Sequence, residues 1–184
     1  EVSTGPVVDF RSREYISKAV DVGMVPLLYP GHFVDDFIDW PKEDFKRANA
    51  IEVNEVTRKW LYPSGFYTVV RRFSSKEEKR RINANVVTPN VFNGFAALAF
   101  ENRLNVFHLH RSGLDESVAF GIAAFLNSSR VDEYFRRFNG HTQVNATDLR
   151  AIKYPNMERL VSLGKLAKTH GHSNQAIVDG LLDS

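Results

Sequence analysis

The chain has 184 residues, 43% of them hydrophobic and 12% aromatic, enough to bury the core of one domain. It contains no cysteine, which excludes disulfides, thiolate metal sites and cysteine nucleophiles, and its formal net charge is only +2. No apolar run approaches the ~20 residues that cross a bilayer and no signal peptide is visible, so a cytoplasmic protein with no membrane partner is expected.

The chain begins at Glu1 rather than Met, so a piece of a longer protein is expected. In chain order, RSREYISKAVDV (11–22) sets Tyr15, Ile16, Ala19 and Val20 at helical spacing and predicts a first helix. MVPLLYP then predicts a short strand closed by Pro30 and Gly31, and residues 32–49 are irregular, with a turn or helix start at Trp40-Pro41. NEVTRKWL (54–61) is helix-like, with Asn54 as its N-cap.

A β-rich middle follows. GFYTVVRRF (65–73) and INANVVTP (82–89) are dense in β-branched or aromatic residues and predict an antiparallel hairpin with a charged tip at 74–80. AALAFENRLNVFHLH (96–110) predicts two strands, or one bent strand, interrupted at Glu101-Asn102-Arg103. Helices return over 115–127, capped by Asp115, and over 129–138, with Val131, Tyr134, Phe135 and Phe138 as the apolar stripe. Short helices are expected at TDLRAI and 156–168, and a last one in SNQAIVDGLLDS. Strands gathered between helical ends, rather than alternating with them, predict an α+β fold. The expectation is a single domain over 1–184: N-terminal helices, an antiparallel β-rich middle and a mainly helical part over 115–184.

Charge is unevenly spread. Residues 71–81, RRFSSKEEKRR, hold six basic and two acidic groups, a local +4; residues 32–44 hold five acids and one lysine, a local −4. Two solvated loops of opposite sign would explain this. However, two acids cannot neutralise six bases, so part of the set Arg71, Arg72, Lys76, Lys79, Arg80 and Arg81 is expected to face a polyanion.

A second polar concentration lies in FNGHTQVNATDLRAIKYP (138–155). Gly140 permits a turn, and Asn145 with Asp148 has capping-box spacing. Capping leaves His141, Thr142 and Gln143 unexplained. Such neutral side chains suit phosphate oxygens, and Gln pairs with adenine through two hydrogen bonds. His141, Thr142, Gln143 and Asn145 are therefore candidate DNA contacts. Other chemistry is thin. Glycine-rich phosphate loops and G-x-S-x-G are absent. His108 and His110 would share a strand face without a third metal ligand at convincing spacing, and Asp35, Asp36 and Asp39 read as a surface loop. No catalytic residue and no metal ligand is assigned.

Several stretches, taken together, resemble the C-terminal part of N6-adenine DNA methyltransferases of bacterial type II restriction–modification systems. They are STGPVVDFR (3–11), VPLLYPGHF (25–33), WP (40–41), RRFSSKEEKRRINA (71–84), ENRLNVFH (101–108), FLNSSRVDEYFRRFNGHTQVNATDLRAIKYP (125–155) and the following LVSLG. The 125–155 block is the most specific. The chain is also similar to the end of target-recognition domains in type I specificity subunits. The resemblance implies double-stranded DNA as partner. It also implies an N-terminal catalytic domain elsewhere in the parent protein, which binds S-adenosylmethionine and carries an Asn/Asp-Pro-Pro-Tyr/Phe motif, and a restriction nuclease as a further partner. That motif is missing here; TPNVF (88–92) and YPNME (154–158) do not fit it, so no cofactor is expected in this chain and the fragment alone is expected to be inactive. Two rival expectations stand beside this one: a nuclease with unrecognised metal-binding carboxylates, and a protein-docking specificity module.

Overall fold

Two large β-sheets, a small two-stranded one and a layer of helices make up the fold in a computed structural model that describes residues 1–183. Strands β1 (Val2–Thr4), β2 (Ile16–Ser17), β3 (Met24–Leu28), β4 (Phe33–Val34), β5 (Phe37–Ile38) and β6 (Ala50–Glu52) come from the first third of the chain. Next come β7 (Leu61–Pro63), β8 (Tyr67–Arg71), β9 (Ala84–Val87), β10 (Ala97–Phe100) and β11 (Leu104–Phe107). The α-helices all follow Asp115: α1 (Glu116–Leu126), α2 (Ser129–Phe138), α3 (Ala146–Ala151), α4 (Met157–His170) and α5 (Gln175–Asp183). The fold is α+β. The final pattern's last residue, Ser184, lies outside the described residues.

The first sheet has the order β1-β11-β8-β9 and is antiparallel throughout. The second has the order β2-β6-β3-β10-β7 and is mixed, with β3 and β10 parallel. The two strands read in 96–110 therefore exist, but the break at Glu101–Arg103 carries the chain from one sheet to the other. The first sheet is buried on both faces, and side-chain alternation sorts its residues. In β8, Tyr67 and Val69 enter the core between the sheets, while Val70 enters the core beneath the helices. Thr68 also faces the helices and donates its hydroxyl to the Ala119 carbonyl at 2.7 Å, satisfying a polar group in a dry place. The run 66–70, FYTVV, carries no charged residue for this reason, with no wet face to alternate against.

Two expected N-terminal helices are corrected. A 3-10 turn at Asp9–Arg11 ends where segment 11–22 begins, and the segment then enters β2 rather than a helix. The Tyr15 carbonyl accepts the Glu52 N–H and the Ser17 carbonyl accepts the Asn49 N–H, both at 2.8 Å. Sheet pairing thus takes the backbone groups a helix would use internally. Segment 54–61 shrinks to a 3-10 turn at Arg58–Trp60. Asn54 accepts from the Val56 and Thr57 N–H groups at 2.9 and 3.0 Å and so closes the bend before that turn, whose N-cap is Thr57, and Leu61–Pro63 is claimed as β7 against β10.

The C-terminal helices follow their sequence signals closely. Asp115 caps α1 by accepting from the Ser117 and Val118 N–H groups, Ser128 caps α2, Asn156 caps α4, and Asn174 accepts from the Ala176 and Ile177 N–H groups at the start of α5. Helices α1 and α4 cross at glycine on both sides. A Cβ on Gly121 would collide with the Leu160 carbonyl, and one on Gly164 with the Ser117 carbonyl. A Cβ on Gly180 in α5 would meet nothing within 4 Å. Gly164→Ala should therefore lower unfolding stability by about 1–3 kcal/mol, against its gain in helix propensity. Gly180→Ala should raise stability by about 0.5–1 kcal/mol. Urea unfolding of the two variants, read side by side, checks both signs.

Candidate nucleic-acid interface

The hairpin tip between β8 and β9 and the polar loop between α2 and α3 form one structural unit. Val144 is fully buried in the core beneath the helices and anchors the loop from below. Its carbonyl accepts the Asn105 carboxamide N–H at 2.6 Å, from the helix-facing side of β11. The loop then runs antiparallel to the chain leaving β8. The Ser74 N–H donates to the Thr142 carbonyl at 3.0 Å and the Val144 N–H to the Arg72 carbonyl at 2.7 Å, with Phe73 opposite Gln143.

A buried guanidinium locks this pairing. Arg81 is 1% exposed. It donates to the Ser74 hydroxyl at 3.1 Å, to the Asn139 carbonyl at 3.3 Å and to the His141 carbonyl, and it lies over the Phe135 ring. Its backbone N–H donates to Asp132 of α2 at 2.7 Å. Arg81 is thus corrected as a DNA contact: its donors are spent holding the tip and the loop together.

Arg136 does the same work from α2. It pairs with Asp132 at 2.7 Å and donates to the carbonyls of Lys76, Glu78 and Lys79 at 2.9, 2.7 and 3.2 Å. Sequence reasoning missed Arg136 and Asn139. Asn139 closes the loop by donating to the Gln143 carbonyl at 3.0 Å and accepting the His141 N–H at 2.8 Å. The signal available was their position at the end of α2, where cations and helix-ending residues collect.

The other basic residues divide. Arg71 is paired with Glu78; Arg72 donates to the Asn102 carbonyl at 3.3 Å; Arg80 donates to the carbonyls of Ser173 at 2.6 Å and Asn127 at 3.4 Å. Lys76 and Lys79 are exposed and have no ion pair among the described residues. In the loop, His141 and Thr142 are exposed and Gln143 half-buried, and no side chain of the three has a hydrogen-bond partner among the described residues. Asn145 is different. It forms a capping box with Asp148, whose carboxylate accepts the Asn145 N–H at 2.9 Å and the Asn139 carboxamide N–H at 3.1 Å.

One edge of the tip faces the acidic loop. A cavity of about 160 Å³ lies between Asp35 and Arg71, Arg80, Asn83 and Asn85. Asp36 reaches past it to the α4–α5 connection, accepting the His172 and Ser173 N–H groups at 3.0 and 2.9 Å and the His172 ring Nδ1 at 3.0 Å. The ring hydrogen bond leads the effects that hold the Asp36 carboxyl well below its ordinary range; the two N–H groups add to it against burial. His108 donates to or accepts from the Ser3 hydroxyl at 2.8 Å and accepts the Arg111 N–H at 3.1 Å, while His110 is exposed. Among the described residues no three His, Asp or Glu side chains converge as a metal site, and no helix is long and apolar enough to cross a membrane.

Two curated proteins are similar to this chain. It is 58% identical over 165 residues to the Type II methyltransferase M.BsuBI of Bacillus subtilis, covering 90% of this chain and 32% of that protein. It is 44% identical over 183 residues to the Type II methyltransferase M.PstI of Providencia stuartii, covering 100% of this chain and 36% of that protein. The chain therefore spans about a third of the length of the curated relatives it matches. No protein-family model and no solved structure matches it.

Arg81→Met keeps the bulk and removes the donors, leaving buried carbonyls unpaired. It should lower stability by at least about 2 kcal/mol and speed hydrogen exchange at the Ser74 and Val144 amides above all others. Asp36 makes a pH-dependent contribution. Its folded-state pKa is depressed, so its stabilisation is fully present above the unfolded value of about 4 and is lost as pH falls below it. The stability gap between the wild-type chain and Asp36→Asn, measured by denaturant unfolding, should shrink as pH falls below about 4.

Proposed function

We propose that the chain is the DNA target-recognition part of a restriction–modification adenine-N6 methyltransferase. What supports the reading is the joining of two chemically distinct features on one rigid surface. Free lysines at the tip suit phosphate oxygens, and an unpartnered carboxamide and hydroxyl beside them suit base edges. The similarity to two type II methyltransferases points the same way. Lys76 and Lys79, with Arg72 and the outer edges of Arg71 and Arg80, hold the DNA backbone. His141, Thr142 and Gln143 approach the groove, and Asn145 shapes the loop that carries them.

Methyl transfer belongs to the rest of the parent protein, with its S-adenosylmethionine and the pocket for the extruded adenine. Pro89 sits in a 3-10 turn at Pro89–Phe92, and Asn156 is the cap of α4, so both Pro-Asn runs serve the fold. The parent's catalytic domain and duplex DNA are the proposed partners, with a restriction nuclease acting on the same sites.

One observation favours a second reading, a protein-docking module. Tyr134 and Phe138 stack at 4.6 Å on the outer face of α2, with Phe138 72% exposed, beside a groove lined by Arg130, Lys153 and Tyr154. Binding of this chain to a short duplex over a range of salt concentrations separates the two. DNA recognition requires log affinity to fall linearly with log salt, and Lys76→Ala and Lys79→Ala should each flatten that slope by about one unit. Affinity indifferent to salt would favour docking.

A further inference from the structure

We propose that Phe73 and Gln143 act as a pair on the major groove of duplex DNA. The ring packs on a thymine methyl group while the carboxamide bonds the N6 and N7 edge of an adenine in the adjoining base pair. This rests on the DNA-binding reading above and extends it to a residue and a base that the reading did not include.

Phe73 is 43% exposed and belongs to none of the three core clusters. Phe10 and Phe37 are more exposed still, so exposure alone distinguishes nothing. Mounting does. The hydrogen bonds run from Ser74 to Thr142 and from Val144 to Arg72, flanking the Phe73–Gln143 position. That makes these two residues the pair without hydrogen bonds to each other, in which antiparallel strands approach most closely and side chains project to the same face. Their Cβ atoms then lie roughly 4.5–5.5 Å apart, within reach of neighbouring base pairs that rise about 3.4 Å.

The backbone beneath the pair is fixed by Arg81 from inside and Arg136 from α2. Arg72 lies 5.7 Å from the Phe73 ring centre and orients the ring, while Lys76 and Lys79 stand on the same tip for phosphates. An apolar ring and a two-pronged amide held side by side match the major-groove face of an adenine–thymine step. There thymine shows a methyl group, and adenine shows a donor beside an acceptor. The minor groove offers neither the methyl group nor that adenine pair.

The test uses this chain and a pool of short duplexes with a randomised centre. The duplex it selects is then resynthesised with each thymine replaced by uracil and each adenine by 7-deaza-adenine. Wild-type protein should lose about fourfold in affinity at one uracil, the worth of one buried methyl group, and roughly five- to 150-fold at one adjoining 7-deaza-adenine. Phe73→Ala should be indifferent to that uracil with its salt slope intact, and Phe73→Leu should keep the penalty because it remains apolar. Gln143→Ala should be indifferent to the 7-deaza-adenine. Wild-type binding that selects a sequence but ignores every uracil, or a Phe73→Ala variant that retains the full uracil penalty, overturns this proposal alone. Failure of the wild-type chain to bind any duplex in a salt-sensitive way overturns the DNA-binding reading and this proposal with it.

Discussion

The buried Arg81 guanidinium is the interaction on which the surface depends. A charged side chain placed out of water costs several kcal/mol unless hydrogen bonds replace the lost solvent. Here the hydroxyl of Ser74, two loop carbonyls and the Phe135 ring supply that replacement. These partners come from three segments: the tip, the end of α2 and the polar loop. Satisfying one cation therefore fixes three segments against one another. The requirement is mutual, because the loop carbonyls of Asn139 and His141 would otherwise be buried without donors. A charge that reads in sequence as part of a binding patch is in fact the reason the patch has a shape.

Legibility from sequence followed how local each determinant was. Caps are local, and Asp115 and the Asn145–Asp148 box mark helix starts in the sequence and in the fold alike. The β8–β9 hairpin and the break at Glu101–Arg103 were visible from β-branched density and polar interruption. Segment 11–22 was not. Four apolar residues in two adjacent pairs fit a helix template, but they fit a turn and a two-residue strand equally well. The Glu52 N–H, far along the chain, decides between them. The basic run shows the same limit. Six cations look alike in sequence, and burial of Arg81 depends on Asn139 and His141 some sixty residues away. The polar loop was legible as chemistry unexplained by capping. Its position beside the hairpin tip was not, since nothing near His141 or Gln143 specifies a strand partner at Phe73.

The His172–Asp36 pair shows how a distant contact sets the outline of the surface. In sequence Asp35, Asp36 and Asp39 read as a surface loop. Asp35 and Asp36 do turn between β4 and β5, yet Asp36 reaches across the molecule to His172, which is buried with its ring edge-on to Phe120 at 5.4 Å. The acidic loop is thereby drawn against the flank of the hairpin, where Asp35 faces Arg71 and Arg80 over a narrow cavity.

That flank gives the surface a direction. A polyanion approaching the tip from the side of Asp35 and Asp36 meets fixed negative charge within a few ångströms, where screening by salt is weak. Lys79 shares a cavity with both acids, whereas approach from the side of Lys76 and Gln143 meets an unpaired cation and open hydrogen-bonding groups. Arg71 and Arg80 stand between, with Glu78 and the Ser173 carbonyl already holding much of their capacity. The near-neutral total charge of the chain is thus compatible with strong local polarity. The acidic loop lies against one flank of the hairpin, so of the six basic residues that suggest a diffuse patch in sequence one is buried, three are already hydrogen-bonded and two, Lys76 and Lys79, stand exposed without an ion pair among the described residues.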